Sequence, residues 1–316
     1  MPRVFIADKI DDAGLLLFSD AGIEVQYRTG LQGAALQEAV RAADGLIVRS
    51  ATQITAAELE DPGKLRAIAR AGVGVDNIDV AAATRKGIVV MNTPGGNTVS
   101  AAEHTIALLL SLARHVPAAD ASMKAGKWDR GKFVGTQLAG KTIGVIGLGR
   151  IGREVARRCI GLDMKVAGFD PFLSPDRAAQ LGIDSVAKLE DLLPRCDYIT
   201  VHVPLTDDTK SLIGADEIKL LKKGCRLLNV ARGGVIDESV LAQALADGTV
   251  AGAGIDVYSA EPPPADLALL KAPNAVLTPH LGASTVEAQE NVSREAAQLL
   301  IDFLTRGVVQ FAVNMA

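Results

Sequence analysis

Aromatic residues are scarce, at 3% of the 316-residue chain. A core without them must be filled by Val, Ile, Leu and Ala, as in parallel sheets covered on both faces by helices. A basic block is missing too. Lys and Arg number 33 against 37 Asp and Glu, for a net charge of −4, which leaves a nucleic-acid partner little support. The three cysteines, Cys159, Cys196 and Cys225, lie far apart and form neither a C-x-x-C pair nor a metal-ligand spacing. Free thiols in a reducing cytoplasm are the expectation, with no metal site. The longest mostly apolar stretch, residues 105–113, is too short to span a membrane. The N-terminus, with Val4, Phe5 and Ile6 leading to Asp8, reads as a first strand and not as a signal peptide.

What the chain does contain is 48% hydrophobic residues, enough for the two domains that its length suggests. Two series of alternating strands and helices are legible. The first has strands at 4–7, 24–27, 45–48, 67–70 and 89–92. The second has strands at 142–146, 166–169, 198–202, 226–229, 252–256 and 275–277. Both series read as α/β, doubly wound parallel sheets. Between them, Ser100 and Glu103 have the spacing of a capping box that opens a long connector helix, and Pro117 ends that helix near His115. A shorter helix follows to about Lys124. The segment 284–306 is again helical, with no strand left to follow in the second series. It is expected to return to the first domain together with the tail 308–313. The domains are then 1–98 plus 284–316 and 99–283, with the two crossings forming a hinge over a cleft.

The most specific motif is Gly147-Leu148-Gly149-Arg150-Ile151-Gly152, set between a β-branched strand and a helical pattern. Asp170 follows at the end of the next apolar run, 18 positions after Gly152. This is the dinucleotide fingerprint in its required context. Gly147 permits the tight turn, Gly149 lets a pyrophosphate approach the backbone, and Gly152 lets helix and strand pack closely. The helix N-terminus offers its N–H groups to the phosphates. A carboxylate at Asp170 accepts hydrogen bonds from ribose hydroxyls and repels a 2′-phosphate. Pro171 and Phe172 follow it, with no Arg, so the cofactor reads as NAD.

Three further segments follow strands of the second series, where such folds place their ligands. They are 229–237 (NVARGGVID), 256–263 (DVYSAEPP) and 278–285 (TPHLGAST). Together with the Gly147 fingerprint they resemble the D-isomer-specific 2-hydroxyacid dehydrogenases. So do the runs 70–79 (RAGVGVDNID), 92–97 (NTPGGN) and 122–128 (SMKAGKW). The resemblance covers nearly the whole chain. It implies a flavodoxin-like substrate domain and a Rossmann cofactor domain, with Arg232, Glu261 and His280 as the catalytic set. Arg232 offers a planar fork to the substrate carboxylate. His280 takes the hydroxyl proton on oxidation and returns it on reduction. Glu261 holds the imidazole by its other nitrogen. The family also places Arg150, Ile151, His202, Ala231, Asp256 and Gly282 beside NAD, with Asp256 at the nicotinamide carboxamide. Substrate contacts fall at Arg49, Ser50, Arg70, Gly72, Val73, Gly74 and Asn97. His104 and His115 read as ordinary helix-face residues, and Tyr258 and Trp128 as packing.

Clustered arginines suit a phosphate or sulfonate, and an apolar side chain would leave Arg49 and Arg70 unpaired. Arg130 and Lys132 add positive charge after Trp128. The expected substrate is a small anionic 2-hydroxy acid, with D-3-phosphoglycerate ahead of sulfolactate, glycerate or hydroxypyruvate, and glyoxylate. The chain looks like a short form without a C-terminal regulatory domain. A homodimer is expected through the connector helix and its following loop, with a tetramer as the alternative. An NAD-sensing corepressor-like binding protein is the remote alternative to an enzyme.

Overall fold

The structure is a computed structural model and describes residues 1–315. The chain begins with β1 (Arg3–Ile6), α1 (Asp12–Asp20), β2 (Glu24–Tyr27), α2 (Gly33–Ala42), β3 (Gly45–Val48), β4 (Ala67–Arg70), α3 (Val80–Arg85) and β5 (Val89–Asn92). It continues with α4 (Thr98–Arg114), α5 (Val116–Lys124), β6 (Thr142–Ile146), α6 (Arg150–Gly161), β7 (Lys165–Phe169), α7 (Pro175–Gln180), β8 (Asp184–Ser185) and α8 (Leu189–Leu192). Then come β9 (Tyr198–Val201), α9 (Ala215–Lys219), β10 (Arg226–Asn229), α10 (Glu238–Ala246), β11 (Gly252–Ile255), β12 (Ala275–Leu277) and α11 (Val286–Arg306). These elements form two compact units, Met1–Asn97 with Ala283–Ala316, and Thr98–Gly282.

The first unit is a parallel five-stranded sheet in the order β2-β1-β3-β4-β5. Side chains alternate along each strand, so each face has its own core. Val4, Ile6, Ile47 and Met91 meet Phe18 of α1 and Val292, Ala296 and Leu300 of α11. Phe5, Leu46, Val48, Ile68 and Val90 meet Leu36 and Val40 of α2 and Ala83 of α3. Helix α11 owes this place to its sequence: Ala288, Val292, Ala296 and Leu300 recur every four residues and are all buried. Thr285 caps it by accepting from the Ala288 N–H, and Gly307, at φ +68°, ends it. The tail then pairs antiparallel with β5 through Met91 and Ala312. Val313 N–H donates to Val90 O at 2.8 Å, and Asn92 N–H to Phe311 O at 3.2 Å.

The second unit is a parallel seven-stranded sheet in the order β12-β11-β10-β9-β6-β7-β8. On one face Ile146, Ile199, Leu227 and Ile255 pack with Leu241 and Leu245 of α10. On the other, Ile143, Val145, Val166 and Leu228 pack with Leu108, Leu109 and Leu112 of α4 and Val155 and Cys159 of α6. The strand order reverses direction between β6 and β9, the position at which doubly wound sheets bind ligands beyond their carboxyl ends. Burial pushes all three free thiols, Cys159, Cys196 and Cys225, up to about 12.

Two local expectations fail, and one short strand goes unread. Helix α4 begins at Thr98, so Ser100 lies buried inside its first turn rather than at the cap, and Glu103 instead pairs with Arg158 of α6 at 3.2 Å. The two-residue edge strand β8 has too little apolar sequence to be legible. Trp128 is 76% exposed, not packed. The break at Pro117 is present: α4 ends at Arg114, His115 takes a left-handed φ of +53°, and α5 follows. Among the described residues no helix is long and apolar enough to cross a membrane.

Candidate active site

The fingerprint turn is shaped by close backbone approach. Gly147 has φ +87°, and a Cβ there would lie 2.6 Å from His202 O at the end of β9. A Cβ on Gly152 would lie 2.0 Å from Gly147 O, so helix α6 can meet the turn only through glycine. Gly149 differs: a Cβ there would meet nothing within 4 Å. Gly149 is also the N-cap of α6, and no side chain caps the helix. The first-turn N–H groups of Arg150, Ile151 and Gly152 are therefore served by no capping side chain, beside open space. That arrangement fits a pyrophosphate. Asp170 anchors the turn by accepting from Leu148 N–H at 2.7 Å and from Phe172 N–H at 2.8 Å. A carboxylate has further lone pairs, so acceptor capacity remains for a ribose. His202 binds Thr200 Oγ1 through Nε2 at 2.9 Å, while its Nδ1 is enclosed without a partner. Desolvation pulls its pKa down to about 4.

Arg232, Glu261 and His280 follow three adjacent strands, β10, β11 and β12, whose parallel pairing puts their carboxyl ends on one edge. Asn229 shapes the first loop: its Oδ1 accepts from Ala231 N–H at 3.0 Å and its Nδ2 donates to Arg232 O at 2.8 Å. Gly233 presses this loop onto the next, since a Cβ there would lie 2.0 Å from the carbonyl carbon of Tyr258. Glu238, from the start of α10, accepts from both the N–H and the hydroxyl of Ser259 at 2.6 and 2.8 Å. Glu261 Oε1 accepts from Tyr258 N–H at 3.0 Å, and its Oε2 lies 2.6 Å from His280 Nδ1. The carboxylate only accepts, so Nδ1 carries the proton and Nε2 is the nitrogen left to exchange one.

His280 itself sits at φ +55°. For a non-glycine residue this left-handed backbone costs about 1–3 kcal/mol, and it persists only where neighbours enforce it. Asp256 supplies that enforcement. It is fully buried. Its Oδ1 accepts from Thr278 Oγ1 at 2.6 Å and Leu281 N–H at 2.7 Å, and its Oδ2 from Gly282 N–H at 2.8 Å. Its backbone carbonyl accepts from His280 N–H at 2.8 Å. His104 Nε2 reaches Oδ1 from helix α4 at 3.1 Å. Burial would raise the Asp256 pKa, but the donors from His104, Thr278, Leu281 and Gly282 outweigh it and hold the carboxyl below the usual range.

Asp256 is buried and engaged by its own chain, so it also organises the loop. The N–H groups of Ala231 and Gly282 donate to Asn229 and Asp256. One sequence expectation is corrected by these contacts. His104 is not an ordinary helix-face residue. Tyr258 does pack, and it also donates to Thr278 O at 3.2 Å. Glu238 and His104 had no signal beyond being polar, because their partners lie in distant segments; Asn229 ties its own loop through residues two and three positions on.

In the first unit, Arg49 and Arg70 stand at the carboxyl ends of β3 and β4, where Val48 pairs with Arg70. Asp8, buried, accepts from Arg49 N–H at 2.6 Å and from Thr52 Oγ1 at 2.6 Å. Buried Asn77 donates to Arg49 O and Thr52 O at 2.7 and 2.6 Å, which fixes the turn through Ser50. Desolvation lowers the Arg49 pKa against the opposing pull of Asp8. Arg70 Nη1 lies 3.4 Å from Ala71 O, over Gly72, at φ +149°. Val73 O accepts from Asn92 Nδ2 at 2.6 Å and so fixes the Val73–Gly74 turn beside Arg70. Asn97 is half-buried with its Oδ1 unpartnered. Lys132 pairs with Asp129 at 2.9 Å, and Arg130 is exposed.

Residues 106–282 match the D-isomer-specific 2-hydroxyacid dehydrogenase family, NAD-binding domain, and the chain belongs to that family. The second unit is thus an NAD-binding domain. The D-3-phosphoglycerate dehydrogenase of Archaeoglobus fulgidus is 47% identical over 313 residues, covering 99% of this chain and 59% of that protein. The protein of the same name from Rattus norvegicus is 48% identical over 312 residues, covering 99% and 58%. The structure of the TT0316 protein from Thermus thermophilus superposes with a TM-score of 0.89 at 35% identity, over 98% of this chain and 99% of that one. The chain therefore spans about three fifths of the length of the curated relatives it matches.

Two outcomes follow from this geometry. Gly233→Ala forces apart the loops that carry Arg232 and Glu261. A kcat at least about tenfold lower is expected, with a loss of about 1–3 kcal/mol in stability from overpacking, read by steady-state kinetics and denaturant unfolding. His202 is neutral when folded and takes up its proton on unfolding between pH about 6.5 and about 4. Its contribution to stability is complete above the upper value and is lost as pH falls toward the lower one. His202→Gln should therefore flatten the fall in Tm across that window, as measured by calorimetry at a series of pH values.

Proposed function

We propose that the protein oxidises D-3-phosphoglycerate to 3-phosphohydroxypyruvate, the step that feeds serine synthesis. Arg49 and Arg70, at the carboxyl ends of the adjacent strands β3 and β4, carry the substrate assignment. Two guanidinium groups on a rigid edge suit a dianionic phosphate, and the partly desolvated Arg49 is favoured by a bound anion. Ser50 and the backbone at Gly72, Val73 and Gly74 complete the contacts. The names of the two curated relatives support the same acid.

Arg232 binds the substrate carboxylate and stabilises negative charge at the C2 oxygen. His280 Nε2 accepts the hydroxyl proton while Glu261 holds Nδ1. The Gly147–Gly152 turn and Asp170 would hold NAD, which when bound would supply the acceptor for the C2 hydride. Oxidation thus yields the 2-keto acid, reduced cofactor and one proton. Removing His280 or Arg232 is worth roughly two to three orders of magnitude in rate. A reducing cytoplasm suits the three free, buried thiols.

Purified protein is assayed for NADH formation with D-3-phosphoglycerate, D-glycerate, D-lactate and both sulfolactate enantiomers, with a carbonyl trap. A kcat/KM for phosphoglycerate at least about tenfold above the others, roughly 1.4 kcal/mol, is expected. Arg49→Gln and Arg70→Gln should remove that preference mainly through KM. Preference for another acid retains the chemistry and discards the phosphate reading.

We also propose a homodimer. Helix α5 has no buried residue, and Val116, Met123, Trp128 and Val134 are each more than half exposed. So much apolar surface along one segment suits burial against a second copy. Light scattering should give twice the 32.9 kDa chain mass, and Val134→Asp should shift it toward one chain. A wild-type monomer rejects the dimer, and a fourfold mass establishes the tetramer.

A further inference from the structure

The Asp256 carboxylate carries one donor from outside the loops that end the strands. Thr278 Oγ1 lies 2.6 Å from Asp256 Oδ1 and has one hydrogen, which goes to the carboxylate. His104 Nε2 lies 3.1 Å from that Oδ1 and 3.0 Å from Thr278 Oγ1. Neither oxygen has a hydrogen to offer it, so Nε2 must bring its own N–H and share it between them. His104 is thereby fixed as a donor, and the three groups form a closed triangle. Its side chain is 18% exposed and that of Asp256 is 0% exposed, so water does not stand ready to replace the imidazole.

We propose that His104 is a positioning residue for His280: from α4 it closes, with Thr278, the ring of donors around Asp256 that holds residues 278–282 in the path presenting the His280 imidazole. Asp256 accepts from residues on both sides of His280, namely Thr278 before it and Leu281 and Gly282 after it. The left-handed backbone at His280 is held between them. Losing the His104 donor leaves one face of a buried anion unserved. The carboxylate then rotates or takes up a proton, and either change releases the Leu281 or Gly282 N–H. The imidazole loses its fixed aim, and proton transfer tolerates little misplacement. The inference rests on the reading of His280 as the proton-handling residue.

The test compares His104→Leu, His104→Gln and Thr278→Val. In cofactor-free protein, exchange of the Leu281 and Gly282 amides is measured against amides of β6. In steady state, kcat and KM are measured on whichever 2-hydroxy acid the wild type oxidises. H104L should speed exchange at the two loop amides by at least about tenfold, leaving β6 unchanged. It should also lower kcat by about tenfold with KM for acid and NAD little changed. H104Q, whose amide reaches toward the same oxygens, should recover most of both effects. Adding T278V to H104L should cost less than adding it to wild type, because the two side chains act on one carboxylate. Loop exchange and kcat within about twofold of wild type in H104L overturn the proposal, as does exchange accelerated equally everywhere with no recovery by Gln. Should H104L not fold, His104→Ala with and without T278V gives the same cycle. Failure of wild-type turnover on every acid strikes the reading of His280, whereas the exchange experiment, run without acid or cofactor, strikes His104 alone.

Discussion

Parallel pairing is the constraint from which both units follow. A parallel strand must be re-entered from the same end, so every strand-to-helix loop emerges on one edge of its sheet. In the second unit this brings the glycine turn after β6, His202 after β9, and Arg232, Glu261 and His280 after β10, β11 and β12 to a common edge. In the first it does the same for Arg49 and Arg70 after β3 and β4. Chemistry is thus drawn from segments far apart in sequence without any of them leaving a rigid strand end.

Strand ends set only the neighbourhood. Fine placement comes from glycines that let backbones touch and from buried polar groups that tie one loop to the next. Gly233 presses the Arg232 loop on Tyr258, and Tyr258 N–H holds Glu261, which in turn holds His280. Asp256 works beneath that chain of contacts, and Asp8 with Asn77 does the equivalent work beneath Arg49. In both units a buried carboxylate accepts from the backbone that follows a strand.

Much of this is legible in the sequence, and the reasons differ by feature. The long strands announce themselves as apolar runs, and α11 through its four-residue repeat of buried positions. The glycine turn is legible because backbone approach at Gly147 and Gly152 excludes every other residue. Short-range geometry is less so. Ser100 and Glu103 have capping-box spacing, but helix α4 starts two residues earlier, at Thr98, because burial of Ser100, Ala101 and Ala102 outweighs the local cap. Strand β8 is too brief to carry a pattern. The partnership of His104 with Asp256 joins residues 152 positions apart, and a single histidine on a mostly apolar helix gives no indication of its acceptor. Asp256 is recognisable as belonging to the site, but its enclosure depends on the path of the 278–282 loop, which no spacing rule gives.

The tail that closes the first unit has a consequence for association. An uncovered edge strand offers a ladder of unpaired N–H and C=O groups to any passing extended segment. At β5 that ladder is taken: Val90 and Asn92 are bonded to residues 311–314, and the Asn314 side chain accepts from Val90 N–H and donates to Ile88 O. A copy of the chain meeting this border does not reach the β5 backbone directly. Contact between copies there is left to side chains, whose shape and charge can discriminate where a bare peptide ladder would accept almost any sequence.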